Sequence, residues 1–125
     1  MNDQAFRPVI YLKDKCPFCM KIRIFLLESG LRDSVEVKTF TPGAPEEQQV
    51  RDEVSPFLEK VSFPAAQLAP GEVIADSDGI IARLAEGVGQ DPGQMPVLKA
   101  YLEGPFQSLM TLFRENMELK KQQPA

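Results

Sequence analysis

The chain has 125 residues, of which 43% are hydrophobic and 26% charged, so it can form one globular domain with a hydrophobic core. Its formal net charge of −4 argues against a nucleic-acid-binding function. The apolar runs are too short to span a bilayer, and residues 1–7 lack the apolar stretch of a signal peptide, so a cytoplasmic protein without membrane contact is expected.

The first third of the sequence predicts a strand followed by a helix. Residues 9–12 form a short apolar run, and apolar residues at helical spacing predict a helix over residues 18–29. Lys21 and Arg23 fall on the polar side of this helix and are expected to face solvent. Gly30 is expected to end the helix, because glycine adopts the left-handed conformation found after many helices.

The middle of the sequence predicts a strand, a helix and a hairpin. Residues 35–40 alternate between apolar and polar side chains and predict a second strand. A second helix is predicted from about Pro45, with an apolar stripe reaching Val61 and a kink or restart at Pro56. Two short runs within residues 65–75, separated by a Pro-Gly turn, predict a β-hairpin.

Three further helices are predicted over residues 77–86, 95–103 and 105–120. The element order is therefore β-α-β-α-β-β-α, followed by two helices. We expect residues 1–90 to form one unit and residues 91–125 to form a helical extension packed on it. The side chains expected on the inner face of the last helix are Phe106, Leu109, Met110, Phe113 and Met117.

The only two cysteines of the sequence lie in residues 16–19, Cys-Pro-Phe-Cys, at the first predicted strand-to-helix junction. Such a pair in such a place is typical of a redox centre. Free N–H groups at the helix start, together with Lys13 and Lys15, favour the thiolate form of Cys16. The thiolate is the nucleophile in disulfide exchange, whereas Cys19 falls on the apolar side of the helix.

Three other interpretations of the two cysteines remain open. Both could be inert core residues, which suits Cys19 better than Cys16 because Lys15 and Pro17 flank Cys16. The pair could be half of a zinc site, but the sequence has no histidine and no further cysteine to complete it. A permanent disulfide would close too small a loop to stabilise the fold much.

The element order with Cys-x-x-Cys at its first junction resembles the thioredoxin fold, and residues 16–19 resemble the Cys-Pro-Tyr-Cys of glutaredoxins. Residues 61–66, Val-Ser-Phe-Pro-Ala-Ala, stand where these proteins have a cis-proline before the third strand. Residues 76–81, Asp-Ser-Asp-Gly-Ile-Ile, resemble motifs of glutaredoxins and of glutathione transferase N-terminal domains. The resemblance covers residues 8–87 and implies an α/β thioredoxin-like fold, with a mixed four-stranded sheet and a C-terminal helical extension.

The resemblance also implies roles for individual residues. Cys16 is implied as the attacking thiolate and Cys19 as the resolving thiol, which deglutathionylation does not require. Glutathione is implied as the co-substrate, and no metal is required. The residues implied in glutathione binding are Lys13, Pro17, Phe18, Phe63, Pro64, Asp76, Ser77 and Asp78.

Physical chemistry supports several of these implied contacts. The helix N-terminus at Ser77 offers N–H donors to the γ-glutamyl carboxylate, and Asp76 or Asp78 can pair with the glutathione ammonium. Lys13 supplies positive charge for a carboxylate at the other end of the tripeptide. Two alternatives remain open: Ser77 as an ordinary helix cap without a ligand, and Pro64 as an ordinary trans proline.

The resemblance implies a glutathione-dependent thiol-disulfide oxidoreductase that acts on disulfides of small molecules or proteins, as a monomer or weak homodimer. Phe18 departs from the usual tyrosine, and the chain is too short for the large helical domain of transferases. Three alternatives remain open: a glutathione- or partner-binding module without turnover, a glutathione-ligated iron–sulfur carrier that uses Cys16 from two chains, and a transferase-like enzyme.

Overall fold

The computed structural model of the protein describes residues 6–123. Residues 1–5 and 124–125 lie outside this part of the chain. The prediction that residues 1–7 contain no signal peptide therefore falls mostly outside the described residues. Within it, no helix combines the length and apolar character needed to cross a membrane.

Four strands form a mixed sheet: β1 (Val9–Lys13), β2 (Glu36–Phe40), β3 (Ala65–Ala69) and β4 (Glu72–Ile74). Their order across the sheet is β2-β1-β3-β4. β1 pairs parallel with β2 and antiparallel with β3, and β4 pairs antiparallel with β3. The predicted α/β thioredoxin-like fold is therefore confirmed.

The described residues form five α-helices: α1 (Pro17–Ser29), α2 (Glu46–Val54), α3 (Ser77–Gly87), α4 (Pro96–Glu103) and α5 (Pro105–Gln122). Short 3-10 turns occur at Arg32–Ser34, Ser55–Phe57 and Pro92–Gln94. The last two helices are therefore present as predicted, and they meet at Gly104.

Gly30 ends α1 as predicted. It has a φ of 80°, and its N–H donates to the carbonyls of Leu26 and Leu27. The N–H of Leu31 also donates to the Leu26 carbonyl, at 3.1 Å, and the Leu31 side chain packs against the core. This arrangement satisfies the last carbonyls of the helix.

The core has two parts, one on each face of the sheet, because successive side chains of a strand point to opposite faces. Ile10 and Leu12 of β1 pack against α1 and α3, whereas Tyr11 packs against α2. Met95 and Leu98, on either side of the start of α4, are buried in the same cluster as α1. The division of the chain at residue 90 stays a prediction.

The helix predicted to reach Val61 ends earlier. α2 stops at Val54, and the 3-10 turn Ser55–Phe57 follows it. Ser55 keeps helical angles, with φ −60° and ψ −32°, but Pro56 has no N–H to donate, so the chain restarts as a 3-10 turn at Ser55 instead of continuing as an α-helix. Phe57, expected on the apolar stripe, is 46% exposed.

The predicted inner face of the last helix is only partly present: Phe106 and Met110 are half-buried, whereas the other three residues are exposed. α5, all of which is described, has no buried residue, and Leu109, Phe113 and Met117 are 45%, 62% and 42% exposed. The physical reason is that α4 already covers this side of α1 with Leu98. α5 contacts chiefly α4, and most of its apolar side faces outward.

Candidate functional site

The sheet brings three predicted site segments to one edge. The antiparallel registers of β1 with β3 and of β3 with β4 align the end of β1, the start of β3 and the end of β4. Residues 14–19, 63–64 and 76–78 therefore emerge at the same edge, although they are widely separated in sequence.

The two cysteines differ in exposure. Cys16 occupies the capping position of α1 and is partly exposed, whereas Cys19, one turn later, is completely buried. Both are free thiols, and the backbone N–H of Lys13 donates to the Cys19 sulfur at 3.2 Å. A substrate can therefore reach the first cysteine directly, while the second lies behind it in the core.

The two thiols also differ in acidity. The pKa of Cys16 falls to about 5, chiefly because the Cys19 thiol donates a hydrogen bond to the Cys16 sulfur. Backbone N–H groups of Cys19 and Phe18 and the charge of Lys13 lower this pKa further, against the opposing effect of burial. The same hydrogen bond, together with burial, raises the pKa of Cys19. Near neutral pH the pair is a thiolate next to a thiol.

The peptide bond between Phe63 and Pro64 is cis, as the resemblance implies. The Phe63 ring packs edge-on against Phe40, with 4.8 Å between ring centroids, and the Arg51 guanidinium lies 5.6 Å from the ring centroid. The Phe63 ring is therefore engaged in packing against Phe40 and Arg51.

The start of α3 presents polar groups at the same edge. The helix begins at Ser77, and Asp76 rather than Ser77 occupies the capping position. Within the described part of the chain, no side-chain hydrogen bond caps this end, and Ser77 is 8% exposed. The Asp76 carboxylate lies over the first turn, since its Oδ2 is 3.0 Å from where a Cβ on Gly79 would stand.

The expectation that Lys21 faces solvent is wrong. Lys21 is 4% exposed, and its ammonium donates to Asp78 Oδ1 at 2.8 Å. The ammonium also lies 4.9 Å from the ring centroid of Phe106 and 5.8 Å from that of Phe18. A carboxylate and two aromatic faces replace the water that a buried cation would otherwise need. Asp78, predicted to bind glutathione, is therefore already ion-paired, although its side chain remains 85% exposed.

The helical extension is anchored on the cysteine motif itself. The Tyr101 hydroxyl donates to the Pro17 carbonyl at 2.8 Å, and the Phe106 ring meets Phe18 edge-on at 5.3 Å. The pKa of Tyr101 is raised by burial and, to a smaller extent, by the charge of Cys16. These contacts fix the corner between α4 and α5 next to the nucleophile.

Cys16 opens into a cavity of about 330 Å³ between the cysteine motif and α5. The motif side of this cavity includes Lys13, Lys15 and Phe18, and α5 contributes Met110 and Phe113. Sequence reasoning placed Met110 and Phe113 in the core and did not associate them with Cys16. The apolar spacing of α5 identified them as a set, but no local signal indicated what they face.

A family model described as the glutathione S-transferase N-terminal domain matches residues 11–92. A comparison with curated proteins gave no match. The matched range contains the cysteine motif, the cis-proline and the start of α3, and it supports a glutathione-related redox or binding role. The chain therefore belongs to the family of glutathione S-transferase N-terminal domains, which are glutathione-binding domains with a thioredoxin-like fold.

Proposed function

We propose that the protein is a glutathione-dependent thiol-disulfide oxidoreductase of the glutaredoxin type. The observation that carries this proposal is the partly exposed Cys16 at the capping position of α1 with the buried free thiol of Cys19 one turn behind it, and the lowered pKa of Cys16 agrees with this geometry. Thiolate is the reactive form, so Cys16 can attack a disulfide throughout the physiological pH range. The cytoplasm, where thiols are kept reduced, is the compartment in which we expect the reaction.

The reaction on a glutathionylated substrate has two steps. The Cys16 thiolate attacks the glutathione sulfur, a Cys16–glutathione disulfide forms, and the substrate leaves as a thiolate that takes a proton from water. A second glutathione thiolate then attacks this disulfide, so that oxidised glutathione leaves and the Cys16 thiolate is restored. Each turnover therefore consumes one free glutathione, and the glutathione taken from the substrate forms the other half of the oxidised glutathione.

Cys19 provides a second route. After Cys16 has bonded to one half of a protein disulfide, Cys19 loses its proton and attacks the Cys16 sulfur, which releases the protein thiol. The resulting Cys16–Cys19 disulfide is then reduced by two glutathiones. The raised pKa of Cys19 keeps this thiol protonated until the negative charge on Cys16 has been lost in a mixed disulfide.

Glutathione is held, in this proposal, by the groups gathered at the sheet edge. The uncapped N–H groups at the start of α3 receive the γ-glutamyl carboxylate, and the backbone of Phe63 pairs with the cysteinyl part. Asp76 takes the ammonium, since Asp78 is paired with Lys21. Lys13, Pro17 and Phe18 border Cys16 and complete the contacts.

The test is glutathione-dependent reduction of the mixed disulfide between glutathione and 2-mercaptoethanol. We expect Cys16→Ser to lower the rate about a thousandfold or more, because the nucleophile is gone. Cys19→Ser should keep most of the activity by the first route. Wild-type protein that binds glutathione but reduces no disulfide would contradict the proposed oxidoreductase activity and would favour a glutathione-binding module. A brown protein after anaerobic iron and sulfide reconstitution would favour the iron–sulfur carrier.

A further inference from the structure

We propose that Met110 and Phe113 of α5 form an apolar subsite for the polypeptide half of the disulfide that Cys16 reduces. The inference rests on the proposed function and names its substrate class. The preferred substrates are proteins whose disulfide-bonded or glutathionylated cysteine lies in a segment with apolar side chains.

The position of the cavity beside Cys16 is the first argument for this subsite. Met110 and Phe113 line the same space of about 330 Å³ as Cys16 and Phe18. This volume falls in the range of about 300–1,000 Å³ typical of small-ligand pockets. A disulfide must enter this space to reach the Cys16 sulfur, so the group attached to it meets the α5 side chains.

The contacts that anchor α5 to the cysteine motif are the second argument for this subsite. Phe106 packs on Phe18, and Tyr101 donates to the Pro17 carbonyl, so the start of α5 is tied to the cysteine motif. Met110 and Phe113 follow Phe106 on the same side of the helix, one and two turns further along. The apolar wall therefore has a defined position relative to the nucleophile before any substrate arrives.

The extent of the apolar surface identifies the occupant. Leu109 and Met117, at helical spacing from Phe113, are 45% and 42% exposed and continue the apolar side of α5 along the helix. A small polar thiol has no group that could cover this surface, whereas a polypeptide with apolar residues beside its cysteine does. Lys15 lines the motif side of the cavity and is not among the residues proposed to bind glutathione, so an acidic residue in the same segment would be favoured.

The chemistry is that of the proposed function with the leaving group specified. Cys16 bonds to the glutathione sulfur of a glutathionylated protein, and the broken bond leaves its electron pair on the protein cysteine, which takes a proton from water. The departing polypeptide is the half that lies against Met110 and Phe113. A second glutathione then restores the Cys16 thiolate and leaves as oxidised glutathione.

The experiment compares two glutathionylated peptides of equal length and charge, with leucine or serine on both sides of the cysteine. Wild-type protein should show a kcat/KM about tenfold higher for the leucine peptide, because apolar burial of this extent is worth about 1.4 kcal/mol. Phe113→Ala should lower this preference to about threefold, and the double variant Met110→Ala with Phe113→Ala should bring it close to one.

Leu112→Ala is the matched control. Leu112 is 61% exposed and Phe113 62%, and the two are adjacent on α5, but Leu112 is not among the described residues that line the cavity. Its replacement should leave the preference at the wild-type value. Equal loss of preference in both variants, or a wild type indifferent to the flanking residues, would overturn the proposal.

The mixed disulfide of glutathione and 2-mercaptoethanol separates this inference from the proposed function. Wild-type protein that reduces it but treats the two peptides alike would contradict the subsite alone. Wild-type protein inactive on every substrate would contradict the proposed function. A dimer in sedimentation that Phe113→Ala dissociates, with equally increased rates on both peptides, would assign this surface to a second copy and overturn the substrate subsite.

Discussion

The helices α1 and α5 lie on two sides of Cys16 and differ in how they are held. α1 buries five residues, and its first turn determines the acidity of the nucleophile. α5 has no buried residue among its described positions and reaches the same cavity with exposed side chains. The reactivity of Cys16 thus depends on the buried helix α1, whereas access of a substrate to Cys16 depends on exposed side chains of α5. A substitution in one helix can therefore change one property and leave the other intact.

The largest expected difference between the two helices is in stability. Phe25 of α1 is completely buried, so Phe25→Ala should lower the free energy of unfolding by about 3–5 kcal/mol. Leu119 of α5 is 60% exposed, and Leu119→Ala should change the free energy of unfolding by less than about 0.5 kcal/mol. Urea unfolding of the two variants measures both values. Similar losses would mean that α5 belongs to the cooperative core.

A second prediction concerns the acidity of Cys16. Cys19→Ala removes the hydrogen bond that contributes most to the lowered pKa, so the pKa of Cys16 should rise from about 5 toward its ordinary value of 9.0. Thiolate exists above the pKa, so the midpoint of iodoacetamide alkylation against pH should move upward by about one unit or more. Met110→Ala, on the other side of the cavity, should leave the midpoint unchanged. An unchanged midpoint in Cys19→Ala would contradict the assignment.

A third prediction concerns the buried cation beneath the aromatic rings. Asp78→Ala leaves Lys21 without its carboxylate and should cost about 1–2 kcal/mol of unfolding free energy, less than for a fully buried pair because Asp78 is 85% exposed. Lys21→Met in the same background removes the charge and should restore much of the loss. As a control, Arg83→Ala breaks an exposed pair with Glu72 and should change stability by less than about 0.5 kcal/mol. No recovery in the double variant would argue against burial of Lys21.

The smallest expected effect is a change in stability on substitution of Lys15, which precedes the nucleophile Cys16 in sequence. Lys15 has a φ of 62°, in the left-handed region that costs a residue with a Cβ about 1–2 kcal/mol. Lys15→Gly should therefore raise the free energy of unfolding by up to about 1 kcal/mol, after the greater chain entropy of glycine is subtracted. Lys15→Ala retains the Cβ and should bring no gain. Thermal unfolding of both variants is the measurement, and equal stabilities would rule out strain at this position.

Much of the fold follows from local pattern. The apolar spacing of α1, the glycine at position 30 and the apolar runs of the hairpin each act over a few residues, and the structure has these elements where they were predicted. The burial of Cys19 also follows from its place on the apolar side of α1. Local propensity and hydrophobic period predict these elements because the type and ends of each element depend mainly on residues that are neighbours in sequence.

The features that sequence reasoning missed depend on distant partners. Lys21 is buried because Asp78, 57 residues later, meets its ammonium, and no local pattern indicates that pairing. The apolar stripe of α5 has the period of a core helix, but period identifies only which residues share a side. Whether that side is covered depends on how α4 packs on α1, which a single helix pattern does not contain.

The contact between Tyr101 and the cysteine motif has an optical consequence. The sequence contains two tyrosines and no tryptophan, so its intrinsic ultraviolet emission comes from tyrosine. Tyr101 lies within the influence of the Cys16 charge, whereas Tyr11 packs on the other face of the sheet and donates to Glu53 at 3.2 Å. Oxidation of Cys16 removes a negative charge beside one of the two emitters. In a Tyr11→Phe protein, tyrosine fluorescence would follow the redox state of the dithiol without an added dye.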